Sequence, residues 1–206
     1  MKKGGFMKDA VILFAITLVS GLLLGGVYEM TKEPIMKAQL AASLEKYKLA
    51  YPDAADFKFD QAIQDQVAVS KETLAAEKPE FGGVEVDNAL NAVDASGNVI
   101  GYIVTASSND SYGGAVKVSV GITKEGMITG MEILEINDTP GLGMKAVEPE
   151  FKDQYKGKTV DEFSVTKGGS ASDSEIDAIS GATITSNAVT NAVNAALYFT
   201  ANCIAK

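Results

Sequence analysis

In the stretch DAISGATITSNAVTNAV, residues 177–193, four alcohols crowd into seven positions: Ser180, Thr183, Thr185 and Ser186. Behind them Val189, Val193, Ala196 and Leu197 recur at helical spacing, which predicts a helix from about residue 186. The start of a helix offers unpaired N–H groups and partial positive charge, and together these stabilise an anion. Gly181 and Ala182 are small enough to let a phosphate approach the backbone. A threonine hydroxyl beside such a site can donate a hydrogen bond to the phosphate or be esterified to it. The plainer reading is that Ser and Thr here are N-caps. From the residues alone both readings stand.

Two further loops carry residues of the same kind. SNDSYGGAV (107–115) ends a β-rich run in a glycine pair, and NDTPGLGMK (137–145) leaves another. In the second, Pro140 presets the first central position of a turn and Gly141 supplies the positive φ of the next, predicting a type II turn after Thr139. As structure, each loop is a bend or a turn.

The composition narrows the chemistry. The chain has 206 residues, a net charge of −9, no histidine and no tryptophan, and all 18 of its basic residues are lysine. Without arginine there is no planar fork for bidentate phosphate or base recognition. An acidic chain of this kind is not a nucleic-acid binder, since phosphate neutralisation dominates that affinity. Without histidine it lacks the commonest general base and transition-metal ligand. Its one cysteine, Cys203, cannot hold an iron–sulfur cluster, and reads as a small apolar residue near the end of the last helix. Redox chemistry therefore requires an organic cofactor or a partner chain.

These loops need elements to hold them. Residues 10–28, AVILFAITLVSGLLLGGVY, carry no charge and are long enough at about 1.5 Å per residue to cross a bilayer core of about 30 Å. A cleaved signal peptide has a shorter apolar region followed by a small-x-small site, whereas EMTKEPIM follows here, so an uncleaved anchor is the favoured reading. Lys2, Lys3 and Lys8 precede the span and a balanced set follows it, which places the N-terminus in the cytoplasm. Fifteen lysines against 26 acids then leave a net −11 beyond the span. Pro34 suits a helix first turn, and Met36, Leu40, Leu44, Tyr47 and Tyr51 continue at helical spacing to Pro52.

The rest reads as one domain. Residues 67–70 suggest a short strand, and from residue 84 alternating runs separated by turns at 96–98 and 124–126 predict antiparallel hairpins. A helix is expected over 142–155 and a strand near 162–166. The expected fold is α+β: a single N-terminal transmembrane helix followed by an antiparallel-sheet domain with flanking helices. The divisions are a cytoplasmic tail (1–9), the anchor (10–28), a juxtamembrane helix (29–52) and an extracytoplasmic domain (53–206).

The segment DAISGAT matches the flavinylation pattern Asp-x-x-Ser/Thr-Gly-Ala-Thr, and with TPGLG and YGG in order the chain resembles the FMN-binding domain family. Length and layout are similar to the G subunits of the Rnf electron-transport complexes. The C subunits of sodium-translocating NADH:quinone oxidoreductases share the motif but are generally longer. The resemblance implies FMN joined to Thr183 by a phosphoester, with Thr185, just outside the pattern, ranked second. It implies that Asp177, Ser180, Gly181 and Ala182 are read by a flavin transferase that uses FAD and a divalent metal. It places Thr139, Leu142 and Gly143 near the isoalloxazine, Leu142 on its face, and gives Lys145 the neutralisation of a reduced flavin, against the plainer reading of a solvated lysine. Relatives often carry Glu where this chain has Asp138. The implied function is electron transfer in a membrane ferredoxin:NAD⁺ oxidoreductase that moves Na⁺ or H⁺, with membrane and iron–sulfur subunits as partners. The alternatives are a tethered binding or scaffold domain and a self-contained flavin reductase, for which no acid/base set or second cofactor motif is present.

Overall fold

The computed structural model describes the backbone of residues 4–204 and the side chains of 8–25 and 43–204. It divides into two units, 1–43 and 44–206. The first is helical: α1 spans Gly4–Ala50, and its final turns belong to the second unit. Within it, Lys8–Gly25 has a mean hydropathy of 1.8 and is long and apolar enough to cross a membrane. Its side chains, Leu13, Phe14 and Leu24 among them, are exposed. The side chains of Pro34, Met36 and Leu40 lie outside the described residues; along the backbone α1 runs through these positions without a break.

In the second unit a five-stranded antiparallel meander forms the scaffold: β1 (Asp56–Lys58), β2 (Val84–Val93), β3 (Val99–Ser111), β4 (Gly114–Thr123) and β5 (Ile128–Glu135), neighbours in that order. Alternation assigns its faces. Val116, Val118, Val120 and Ile122 of β4 are wholly buried and belong to the main core with α4 (Thr183–Phe199), whose Val189, Val193 and Ala196 are also wholly buried. Helix α2 (Gln61–Glu77) adds Ile63 and Leu74 to this core.

The end of α1 covers part of the opposite face. Tyr47, Ala50 and Tyr51 pack with Ala92 and Ile103 in a second, smaller cluster. Gly121 and Gly130 make the approach possible, since a Cβ on either would meet the Ala50 carbonyl oxygen at 2.4 or 2.9 Å. That carbonyl, unpaired within the helix, accepts the Thr129 hydroxyl at 2.6 Å.

Three expectations are corrected. Residues 67–70 lie within α2, whose start is capped by Asp60 accepting the Ala62 N–H at 2.9 Å. Region 142–155 is a 3₁₀ segment, Gly143–Val147, followed by the one-turn α3, Pro149–Lys152. Glu148 ahead of Pro149 is extended (φ −76°, ψ 146°), as the pyrrolidine ring favours, and so one long helix is broken. The last helix begins at Thr183, not near 186. A short parallel pair, β6 (Ser164–Thr166) with β7 (Glu175–Asp177), leads into it.

Candidate functional site

The start of α4 is where the three loops meet. The β3–β4 hairpin turns through Tyr112 and Gly113, the 137–143 loop leaves β5, and Ser180–Ala182 leads from β7 into the helix. The turn at Pro140 has the predicted form: Gly141 sits at φ 75°, and the Leu142 N–H reaches the Thr139 carbonyl at 3.1 Å. Gly181 is at φ 78°, a region open to glycine, and a Cβ there would meet Leu142 Cδ2 at 3.1 Å.

Helix α4 has Ala182 at its N-cap and no side-chain cap. The N-cap reading of the alcohols is thereby set aside. Backbone N–H groups of Thr183, Ile184 and Thr185 make no hydrogen bond among the described residues, as the geometry of a helix start requires.

The four alcohols separate by environment. Ser186 is fully buried, accepts the Ile179 N–H at 2.9 Å and donates to the Ala182 carbonyl at 3.0 Å. Thr185 is 1% exposed and donates to Asp138 Oδ2 at 2.5 Å. Ser180 is exposed and outside the cavity wall. Thr183 is half-buried in that wall, and its hydroxyl makes no hydrogen bond among the described residues.

The cavity they border measures about 550 Å³, within the usual range for a cofactor-sized ligand. It is lined by Tyr112, Asp138, Thr139, Leu142, Gly143 and Gly181–Thr185. Tyr112, Leu142 and Ile184 are 73%, 43% and 55% exposed, an apolar rim of the kind a flat aromatic ring covers. A cleft of about 650 Å³ near Lys78, Lys124 and Tyr198 adjoins the far end of α4 and contains none of the predicted residues.

Of those residues, Thr139, Leu142, Gly143, Gly181, Ala182, Thr183 and Thr185 come together here. Lys145 is exposed and outside the wall. Asp177 also lies outside it, its backbone N–H and carbonyl both bonded to the Gln154 amide, at 2.7 and 3.3 Å.

Asp138, not among the residues the sequence assigned to the site, joins all three loops. Its carboxylate accepts Thr185 Oγ1, the Ser111 hydroxyl at 2.9 Å and the Thr139 N–H at 2.8 Å, with the Gly113 N–H a further donor. Burial pushes this carboxyl up, but the four donors outweigh it and hold its pKa below the usual carboxylate range. Tyr112 and Ile184 were also missed; the only available signal was an apolar side chain beside each motif.

An FMN fits these residues: unpaired N–H donors and a hydroxyl for the phosphate, apolar side chains for the ring. Residues 111–198 match the family model described as FMN-binding domain. The chain is 37% identical to the G subunit of the Na⁺-translocating ferredoxin:NAD⁺ oxidoreductase complex of Acetobacterium woodii, over 91% of this chain and 87% of that one. It is 31% identical to the G subunit of the proton-translocating ferredoxin:NAD⁺ oxidoreductase complex of Clostridium ljungdahlii, over 92% of each. Among solved structures, Shewanella oneidensis NqrC gives a TM-score of 0.47 at 20% identity, over 57% of this chain and 61% of that one. Near-full-length likeness to these relatives, anchor and flavin domain together, places the chain within the family of G subunits of ion-translocating ferredoxin:NAD⁺ oxidoreductase complexes.

Proposed function

We propose that this chain is an electron-transfer subunit of such a membrane complex and carries FMN on Thr183 Oγ1 through a phosphoester. The reading rests above all on Thr183: a cavity-wall alcohol with no hydrogen-bond partner among the described residues, on the first turn of an uncapped helix. Thr185 is a poor acceptor by comparison, because Asp138 holds its hydroxyl. The new bond joins Thr183 Oγ1 to the flavin phosphorus, the pyrophosphate bond of FAD breaks, AMP leaves and the hydroxyl proton goes to solvent. A separate transferase with a divalent metal performs this step, and Asp177 and Ser180, outside the cavity wall on the approach to α4, are available for it to read.

The N–H groups at the start of α4 hold the phosphate, while Leu142, Tyr112 and Ile184 pack on the ring and keep water from it. The flavin supplies the electron chemistry when bound, and this chain fixes its position and surroundings. A covalent link keeps the carrier at a high effective concentration beside its partners, the membrane and iron–sulfur subunits. Lys145, exposed and outside the wall, reads as a solvated lysine, the plainer of its two readings. The N-terminus is cytoplasmic and the flavin domain lies on the other side of the membrane. Relatives named for Na⁺ and for protons are both similar to this chain, so the coupling ion is either.

In-gel flavin fluorescence after denaturation tests the link. Protein produced with the transferase should give a fluorescent band that Thr183→Ala abolishes and Thr185→Val retains. A dark wild-type band, or a bright Thr183→Ala band, would overturn the proposal.

A further inference from the structure

We infer that Asp138 sets the reduction potential of a flavin held in this cavity, its carboxylate opposing the negative charge that reduction brings. The inference rests on FMN occupying the site. Three observations carry it. Asp138 lines the cavity beside Thr139 and Gly143. Its two oxygens are held in place by Thr185, Ser111 and two backbone N–H groups, so the charge cannot turn away from the site. No lysine forms an ion pair with it among the described residues, so its neighbours solvate the charge without cancelling it.

Gly143 is part of the arrangement, since a Cβ there would lie 2.3 Å from Asp138 Cγ. The fold thus keeps a small residue where it allows a carboxylate to stand in the wall. A flavin ring seated in the cleft displaces its water, and a fixed charge beside it then acts more strongly on a second charge nearby. When the ring takes up two electrons from a donor, a proton from solvent compensates only part of the added charge, and Asp138 disfavours the remainder. Its position makes it a tuning residue: no proton or electron passes through it.

The test is a spectroelectrochemical titration of the full-length, flavin-loaded protein, with intact mass confirming the load. Asp138→Asn keeps an acceptor for Thr185 and Ser111 but removes the charge. It should favour the reduced form at least tenfold, which is about 30 mV upward for a two-electron couple. Asp138→Glu, which keeps the charge, should stay nearer the wild type. If Asp138→Asn does not load, Ser111→Ala removes one compensating donor from the same charge and should move the potential downward. Loaded Asp138→Asn with the wild-type potential would overturn the inference, as would an unchanged or raised potential in loaded Ser111→Ala. Either result leaves the flavin link intact, whereas an unloaded wild type defeats the link itself.

Discussion

A Cβ on Gly143 would collide with the Asp138 carboxyl, and that collision has a measurable consequence. Gly143→Ala must displace Asp138 or the 137–143 loop, and overpacking of this kind costs about 1–3 kcal/mol. Thermal unfolding should show the loss together with weaker flavin loading; a variant as stable and as well loaded as the wild type would contradict the packing described. The choice of Thr183 among the alcohols came from the family pattern, whereas a helix start near residues 177–186 was readable because it is a local matter. Gly141 was readable for the same reason, since Pro-Gly dictates its turn within four residues. Asp138 was not. Its partners Ser111 and Thr185 lie 27 and 47 positions away, and nothing in the neighbouring sequence announces a contact made by the fold.

At the level of elements, α4 carries the site at one end and the core along its length. Asn194, 1% exposed, donates to the Phe163 carbonyl at 2.9 Å and accepts the Phe163 N–H at 2.8 Å, fixing the segment before β6 to the helix. Asn194→Ala leaves both backbone groups buried without partners, and should cost about 2–4 kcal/mol in chemical denaturation. A change below about 0.5 kcal/mol would show that the pair does not hold this junction. The hairpins were legible because Val116, Val118, Val120 and Ile122 alternate around plain turn residues. Helix α2 was missed at 67–70, where Val67 and Val69 have the look of a strand. The longer signal was the Asp60 cap with Ile63, Ser70 and Leu74 on one face. Helix α4 starts three residues earlier than its apolar spacing predicts, because alcohols that look like caps are drawn into the first turn.

For the whole molecule, the sequence divides into an apolar, membrane-length stretch and an acidic domain whose cleft lies where three loops meet the start of α4. The lysine distribution predicts that the domain lies outside the cytoplasm. Protease added to intact spheroplasts should therefore digest it, while inverted vesicles should protect it; the reverse pattern would contradict that orientation. The proposed electron-carrier role depends on a flavin bonded to one side chain. The most direct measurement is peptide mapping by tandem mass spectrometry of protein made in the presence of the transferase. The account predicts FMN on the peptide containing DAISGATITS, with fragment ions assigning it to Thr183. A peptide recovered wholly unmodified, or an adduct on Thr185 or Ser180, would contradict it.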